Sequence, residues 1–474
     1  MGQSIFSNAL IATFGRVLTL ICGLVATALM ARMLRVEEFG IYSLVLTVAI
    51  LLQLASDFGL YLTASRELGV SGGESNHVIA NIASLRLALL GAIFGLGAVV
   101  YMSAPFLRPQ AALFIILSCG LILQSLSQLL MGIFQAYGSV WRATAGDVAG
   151  RVVQVLLLLF IASQGNATLL AIAGAFTGGL LIAWCIHMLL IPNKSLLTIS
   201  ISLSIWKYIA RRTWPIALLL VLNAIYFRID TVILSFLTTS QEVGWYSLSY
   251  KVIENGLFFP AMLGGLLLPP LSAALNTKSM DRARQLLSES LALSFSGAVF
   301  VTIILSVFSS EIIEIIAGPS FRPSASLLAI LGIALGIMCL GNIFGFCLIA
   351  LGQQRRLLML YTMLVVFNIC ANLLFIPSFG ALAAAWSTVA TEAIATLVAG
   401  TLVYTHVRWS VPTKKICTGI IIAAVACAIS YFIVPTEYAW VRLGAAAAVY
   451  VVAGWGFGIW SKKSLVHLRS AQSL

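Results

Sequence analysis

The chain has 474 residues, of which 61% are hydrophobic and 9% charged. A soluble domain carries roughly 25% charged residues, so this composition excludes a soluble α protein and leaves a polytopic membrane protein. The net charge of +12 does not point to a nucleic-acid partner, because the Lys and Arg residues sort by membrane face as set out below.

A spanning helix needs roughly 20 apolar residues to cross a hydrocarbon core about 30 Å thick. Fourteen such segments follow one another: 9–30, 40–62, 78–102, 111–134, 144–163 and 168–191, then 213–237, 245–275, 288–309, 324–350, 357–376, 380–404, 416–434 and 440–461. The first is long, carries Arg16 and lacks a clear cleavage site, so it reads as a span and not a cleavable signal peptide. Small residues crowd the third (Gly91, Gly95, Gly97) and the tenth (Gly332, Gly336, Gly341, Gly345), where they permit close packing or bending. Between the sixth and seventh, residues 193–212 set Lys194, Lys207, Arg211 and Arg212 among Leu, Ile and Trp, the pattern of a basic amphipathic linker in the membrane interface. The eighth holds Pro260 and Pro269-Pro270 and is expected to kink or to end in the interface.

With an even number of spans both termini lie on one face. That face collects seventeen Lys and Arg residues in its connecting segments and the other face five, which makes the first cytoplasmic. The outward loops are all short, the longest being about 310–323. The eight cysteines are scattered through apolar segments with no C-x-x-C, and read as buried small hydrophobes rather than a disulfide or metal framework.

One stretch, Ala31 to Glu67, carries an ordered string: Ala31-Arg32, the acidic pair Glu37-Glu38, Phe39-Gly40-Ile41-Tyr42-Ser43-Leu44, Asp57-Phe58-Gly59-Leu60 and Arg66-Glu67. Val243-Gly244-Trp245-Tyr246-Ser247-Leu248 echoes it 204 residues later, and Ala350-Leu351-Gly352 echoes Ala136-Tyr137-Gly138 at an offset of 214. Two echoes in the same order argue for two homologous halves. The domain expectation is an N-lobe over 1–192, the linker 193–212, a C-lobe over 213–405, and two extra spans with a cytoplasmic tail over 406–474.

The Ala31–Glu67 string resembles the entry segment of the polysaccharide transporter family, the O-antigen and exopolysaccharide repeat-unit flippases. These share a superfamily with the MATE exporters and the lipid II flippases. The resemblance implies an all-α, MATE-like fold of two six-helix lobes that rock by alternating access in a bacterial inner membrane, and that a monomer can work, with the oligomeric state left open. It implies an undecaprenyl-diphosphate-linked oligosaccharide as substrate, with a polysaccharide polymerase and chain-length regulator as partners. No cofactor is implied, although H+ or Na+ coupling fits. In MATE-type folds the first two helices of each half line the cavity, which implies that Arg16, Asp57, Arg228, Asp230, Lys251 and Glu254 face it. In related lipid flippases a thirteenth and fourteenth helix border a groove for the lipid tail.

The residues themselves support a charged interior. Ionisable groups are costly in hydrocarbon and by default face a cavity or each other. The candidate cavity residues are Arg16, Asp57, Arg86, Arg228, Asp230, Lys251, Glu254 and Glu392. Arg and Lys suit phosphoryl oxygens through charge-assisted hydrogen bonds, and Tyr226, Trp245, Tyr246, Tyr250 and Asn255 lie close to the second set. Opposite charges also pair for purely structural reasons, and both readings stand for each residue. Arg86 is long enough to snorkel to the interface. Asp147 and Arg151, one turn apart at a helix start, read as structural or interfacial, and His187 as interfacial. Glu392 sits near mid-span without an evident basic partner, a pattern that suits a proton or cation site or a sugar contact. There is no G-x-x-x-x-G-K-[ST] loop, no H-E-x-x-H and no nucleophile–base arrangement, so an enzyme is not expected. The rivals are a MATE-like drug exporter and a membrane glycan polymerase or ligase, the latter disfavoured by the short outward loops.

Overall fold

The computed structural model describes residues 5–60, 76–165, 167–191, 200–409, 413–435 and 439–457. These form fifteen α-helices and no strand: α1 (Ile5–Met33), α2 (Val36–Asp57), α3 (Asn76–Ser103), α4 (Ala111–Ala136), α5 (Val140–Ser163), α6 (Leu169–Leu189), α7 (Leu203–Leu237), α8 (Ser240–Gly256), α9 (Phe258–Asn276), α10 (Met280–Val307), α11 (Ser309–Ala317), α12 (Ser324–Ala350), α13 (Gln354–His406), α14 (Thr413–Ile433) and α15 (Ala439–Gly456). The end of the entry motif, 61–67, the linker residues 193–199, and the tail lie outside the described residues.

Thirteen helical stretches among the described residues are long and apolar enough to cross a membrane. One of them, α13, has 53 residues. At 1.5 Å per residue it would be about 80 Å long, far beyond a bilayer core. It breaks at Gly380, whose φ of 57° and ψ of −140° interrupt the helix, and its two arms match the expected spans 357–376 and 380–404. Counting the two arms separately, the described residues hold a helical stretch long and apolar enough for each of the fourteen expected spans.

The chain divides into two compact units, Met1–Ser235 and Phe236–Leu474. The repeated string opens a helix in each. Phe39 and Tyr42 of α2 are buried, as are Val243 and Tyr246 of α8, so the echo keeps its apolar face. The acidic residue before each glycine satisfies a free backbone N–H, but differently. Glu38 accepts from Arg35 N at the start of its own helix (3.0 Å), whereas Glu242 accepts from Ala381 N (2.7 Å), where α13 resumes after its break. Breaking a helix leaves orphan N–H groups, and a carboxylate near an N-terminus also suits the helix dipole.

Several expectations change. The linker's described part is no separate interfacial segment from Leu203 on, because it continues into the seventh span as the 35-residue α7. It is pinned to α3: Ser202 N donates to Asn81 Oδ1 (2.8 Å), Ser84 Oγ to the Ser200 carbonyl (2.6 Å), and Ile209 is buried with Leu60, Ile82, Leu85 and Leu129. The predicted loop 310–323 is largely the short helix α11 and a 3-10 turn over Pro319–Phe321. Ile313, Ala317 and Phe321 are buried there, giving the segment an apolar face to fold on. The eighth span is interrupted at Leu257, between α8 and α9, three residues before Pro260, which has no N–H for the Gly256 carbonyl. Of the cysteines, Cys119, Cys370 and Cys417 are exposed rather than buried, and all eight are free. On α12, Gly332, Gly336 and Gly341 abut Leu305, Thr302 and Thr396, so packing explains them.

The last two helices rest on α10. Phe300 stacks on Tyr450 with centroids 4.0 Å apart, and the Ser296 and Tyr450 hydroxyls bond at 2.5 Å. Arg442, 5% exposed, ties their connection. It donates to the Val434 carbonyl (2.7 Å), the Tyr431 carbonyl (2.9 Å) and Glu311 Oε1 of α11 (3.3 Å). The end of α14 thus gains both acceptor satisfaction and a favourable charge.

Candidate functional site

Asp57 and Arg86 find each other. Arg86 Nη2 lies 2.8 Å from Asp57 Oδ1, Nε donates to Ser125 Oγ (2.9 Å) and Nη2 to Gln128 Oε1 (3.1 Å). Arg86 is fully buried and Asp57 7% exposed, so Arg86 turns inward and does not snorkel. The helix carrying Asp57 stops one residue later, where Phe58 and Gly59 take left-handed conformations.

A second polar group forms on α1, α2, α5 and α6. Gly15 of α1 lies flush against Thr144 of α5. That contact seats exposed Arg16 within electrostatic range of Asp147 and Arg151. Arg151 also bonds Gln154 Oε1 through Nη1 (2.9 Å) and lies in range of Tyr42. The earlier reading of Asp147 and Arg151 as helix-start residues changes. The helix begins at Val140 and has 24 residues, which puts Arg151 half-way along it. His187 lies in the last turn of α6, near the end of its span as expected. It is fully buried, and its Nε2 donates to the Ala143 carbonyl of α5 (3.0 Å). A Cβ on Gly146 would strike the imidazole ring, so the α5 sequence leaves the ring its space.

On α7, Asp230 is 3% exposed and Arg228 half-buried; two residues apart on a helix, they point to different sides. On α8, Lys251 Nζ and Glu254 Oε2 pair at 2.9 Å, with the lysine side chain 41% and the glutamate 31% exposed. Asn255 donates to the Lys251 carbonyl (2.8 Å), and Tyr246 stacks on Tyr250 (5.7 Å). The pair is local and partly open, unlike Asp57–Arg86.

Glu392, 7% exposed, belongs to a buried polar seam along both arms of α13. Asn372 Nδ2 donates to Asn368 Oδ1 (3.0 Å) and Ser387 Oγ to Asn372 Oδ1 (2.9 Å). The Thr388 hydroxyl meets that of Tyr246 from α8 (3.4 Å), and Tyr361 lies in electrostatic range of Glu392. Sequence reasoning found Glu392 but missed the rest of this seam because its other members are uncharged. The i, i+4 spacing of Asn368 and Asn372 within an apolar span was the available signal. The seam offers amide and hydroxyl oxygens with one carboxylate, chemistry fit for a proton, a hard monovalent cation or sugar hydroxyls. Among the described residues no three His, Cys, Asp or Glu side chains cluster as metal ligands.

Residues 5–275 match the model of a family described as polysaccharide biosynthesis protein. The chain belongs to that family. It is 22% identical over 410 residues, 82% of its length and 84% of the relative's, to the probable low-salt glycan biosynthesis flippase Agl15 of Haloferax volcanii. It is 23% identical to the probable flippase AglR of the same organism over 52% of this chain and 53% of that one. Its fold is similar to the lipid II flippase MurJ in an inward closed conformation (TM-score 0.75, 14% identity, 96% of this chain and 99% of that one). It is also similar to an inward-facing multidrug resistance MATE family transporter of the MOP superfamily (TM-score 0.67, 14% identity, 82% and 94%). The expected all-α, MATE-like fold is the one observed.

Proposed function

We propose that this protein is a flippase that moves a polyprenyl-diphosphate-linked oligosaccharide repeat unit across the bacterial inner membrane for surface polysaccharide synthesis. Its family and two relatives named as flippases support this reading. The observation that carries it is Arg151, half-way along a membrane-spanning helix, with Arg16 beside it. Such costly groups in a hydrocarbon layer face a cavity or each other, and here the two arginines outnumber the one carboxylate in their range, Asp147. Arginine matches phosphoryl oxygens in geometry and charge. Alternating access serves the transport, with both termini cytoplasmic, the polyprenyl tail in lipid and the glycan in an aqueous cavity. Arg228, Lys251 and Glu254 contact the substrate, and Glu392 is the site for a coupling H+ or Na+. A polymerase and chain-length regulator consume the product.

The test is the sidedness of the lipid-linked oligosaccharide in cells depleted of the protein. Accumulation on the cytoplasmic leaflet is expected. Arrival at the periplasmic leaflet without polymerisation would place the protein after flipping, as an enzyme. Absence of any accumulated lipid would favour the exporter reading, which the MATE-like fold neighbour supports.

A further inference from the structure

The first turns of α7 present an exposed face of mixed character. Leu203, Lys207, Arg211, Trp214 and Leu218 are all exposed. On a helix of 3.6 residues per turn they fall within about 40° of one line through Lys207. The opposite face is packed. Ile209, Thr213 and Ala217 are buried, and Ile205 and Trp206 lie against the cluster of Leu60, Ile82, Leu85 and Leu129. The Trp206 indole N–H donates to Ser84 Oγ of α3 (3.3 Å), which adds to the bonds of Ser200 and Ser202 to the same helix. These contacts hold the exposed face at one angle.

The two cations on that face have no counter-charge. Among the described residues neither Lys207 nor Arg211 forms an ion pair. From Leu203 to Ile229 α7 holds no acidic residue, and α3 and α4, the helices it packs on, hold none at all. Asp57, where α2 ends, is taken by Arg86. Neither water nor hydrocarbon suits such a face, since the first leaves Leu203 and Trp214 wet and the second strands two charges. The bilayer boundary suits both, because tryptophan sits at headgroup level and a basic, apolar helix face binds anionic lipid there. Its place along the helix agrees. Trp214 stands six residues before the apolar stretch Leu220–Leu237, about 9 Å along the axis, with Arg211 and Lys207 about one and two turns further out.

We infer that Lys207 and Arg211, framed by Leu203 and Trp214, form a binding site for the phosphate of an anionic phospholipid, which fastens the described end of the segment joining the two halves to the membrane surface. The two residues are one helical turn apart, with Cβ atoms about 6 Å from each other, so their side chains can flank one phosphodiester through charge-assisted hydrogen bonds. The occupant is a resident phospholipid and not a carried lipid, because the face looks outward, opposite the side packed on α3 and α4. The inference goes beyond the flippase reading and does not depend on what the protein transports.

The experiment titrates phosphatidylglycerol into the delipidated full chain in neutral detergent and reads the first bound lipid by native mass spectrometry. Phosphatidylcholine and undecaprenyl phosphate are the comparison probes. A basic residue at an anionic membrane surface contributes roughly a fivefold preference. Lys207→Gln and Arg211→Gln should therefore each weaken phosphatidylglycerol binding roughly fivefold and the double variant roughly 25-fold, while Lys207→Arg keeps it. Phosphatidylcholine binding should not change. The control is Arg355→Gln/Arg356→Gln, which removes two other exposed cations at the start of α13 and should leave phosphatidylglycerol binding as it was. All four positions are exposed, so the variants are expected to fold, and gel filtration checks that they do.

Wild-type phosphatidylglycerol binding in the Lys207→Gln/Arg211→Gln variant would overturn the site. So would an equal loss in the Arg355→Gln/Arg356→Gln variant, which would make the attraction a property of overall charge. Tighter binding of undecaprenyl phosphate than of phosphatidylglycerol, lost in the Lys207→Gln/Arg211→Gln variant, would make the occupant a carrier lipid and overturn the assignment as well. The first two outcomes leave the flippase reading standing.

Discussion

Replacing Asp57 with Asn leaves the Arg86 guanidinium charged and fully buried. Its acceptors are then all neutral, Ser125, Gln128 and the new side-chain amide oxygen, and its Nη1 already lacks a partner. Breaking a buried ion pair by removing one member costs about 3–5 kcal/mol, whereas exchanging both members for apolar side chains of similar volume is often neutral or better. Asp57→Asn, Asp57→Leu and Arg86→Met should therefore each destabilise by about 3 kcal/mol or more. The double variant Asp57→Leu/Arg86→Met should recover most of that, with a coupling energy of about 2 kcal/mol or more in a double-mutant cycle. The assay is denaturant unfolding of the purified protein in mild detergent, followed by tryptophan fluorescence, with the folded fraction checked by gel filtration. Additive losses in the double variant would refute the pairing argument. A fully folded Asp57→Asn protein that fails to move its lipid-linked substrate would put Asp57 on the transport path instead.

The break in α13 gives a second test. Gly380→Ala should destabilise more than Glu242→Gln, because a Cβ there both meets the Glu242 carboxylate and strains a φ of 57°. Glu242→Gln loses only the charge assistance of one hydrogen bond, about 1 kcal/mol, and thermal unfolding ranks the two. Arg442→Met should loosen the last two helices, since it strands the Tyr431 and Val434 carbonyls and Glu311. Faster protease cleavage between α14 and α15 is the expected readout. Arg228→Ala and Lys251→Ala should abolish surface polysaccharide with normal amounts of folded protein, measured by polymer blot against membrane abundance. Normal polymer in both would remove them from the site.

Membrane class, the number of crossings and the place of most spans were legible in the chain itself, because a bilayer core demands about 20 apolar residues per helix whatever the fold. The repeated string keeps a buried apolar side at both places, with Phe39 and Tyr42 buried in one and Val243 and Tyr246 in the other. The candidate charges were findable one by one for the same reason: an ionisable residue stands out in an apolar run. Their partners were not. Asp57 lies 29 residues from Arg86, and only the packing of α2, α3 and α4 shows that the two meet with Ser125 and Gln128 between them. Arg151 was misplaced by a helix start four residues out, and the burial of His187 was not legible from its place near the end of a span, because it depends on a glycine of the neighbouring helix that leaves its ring space. The α13 seam carries almost no charge and so left almost no mark in the composition. Sequence periodicity records which residues avoid lipid, because every helix in a bilayer answers to the same solvent; which polar groups then answer to one another is decided only where the helices touch.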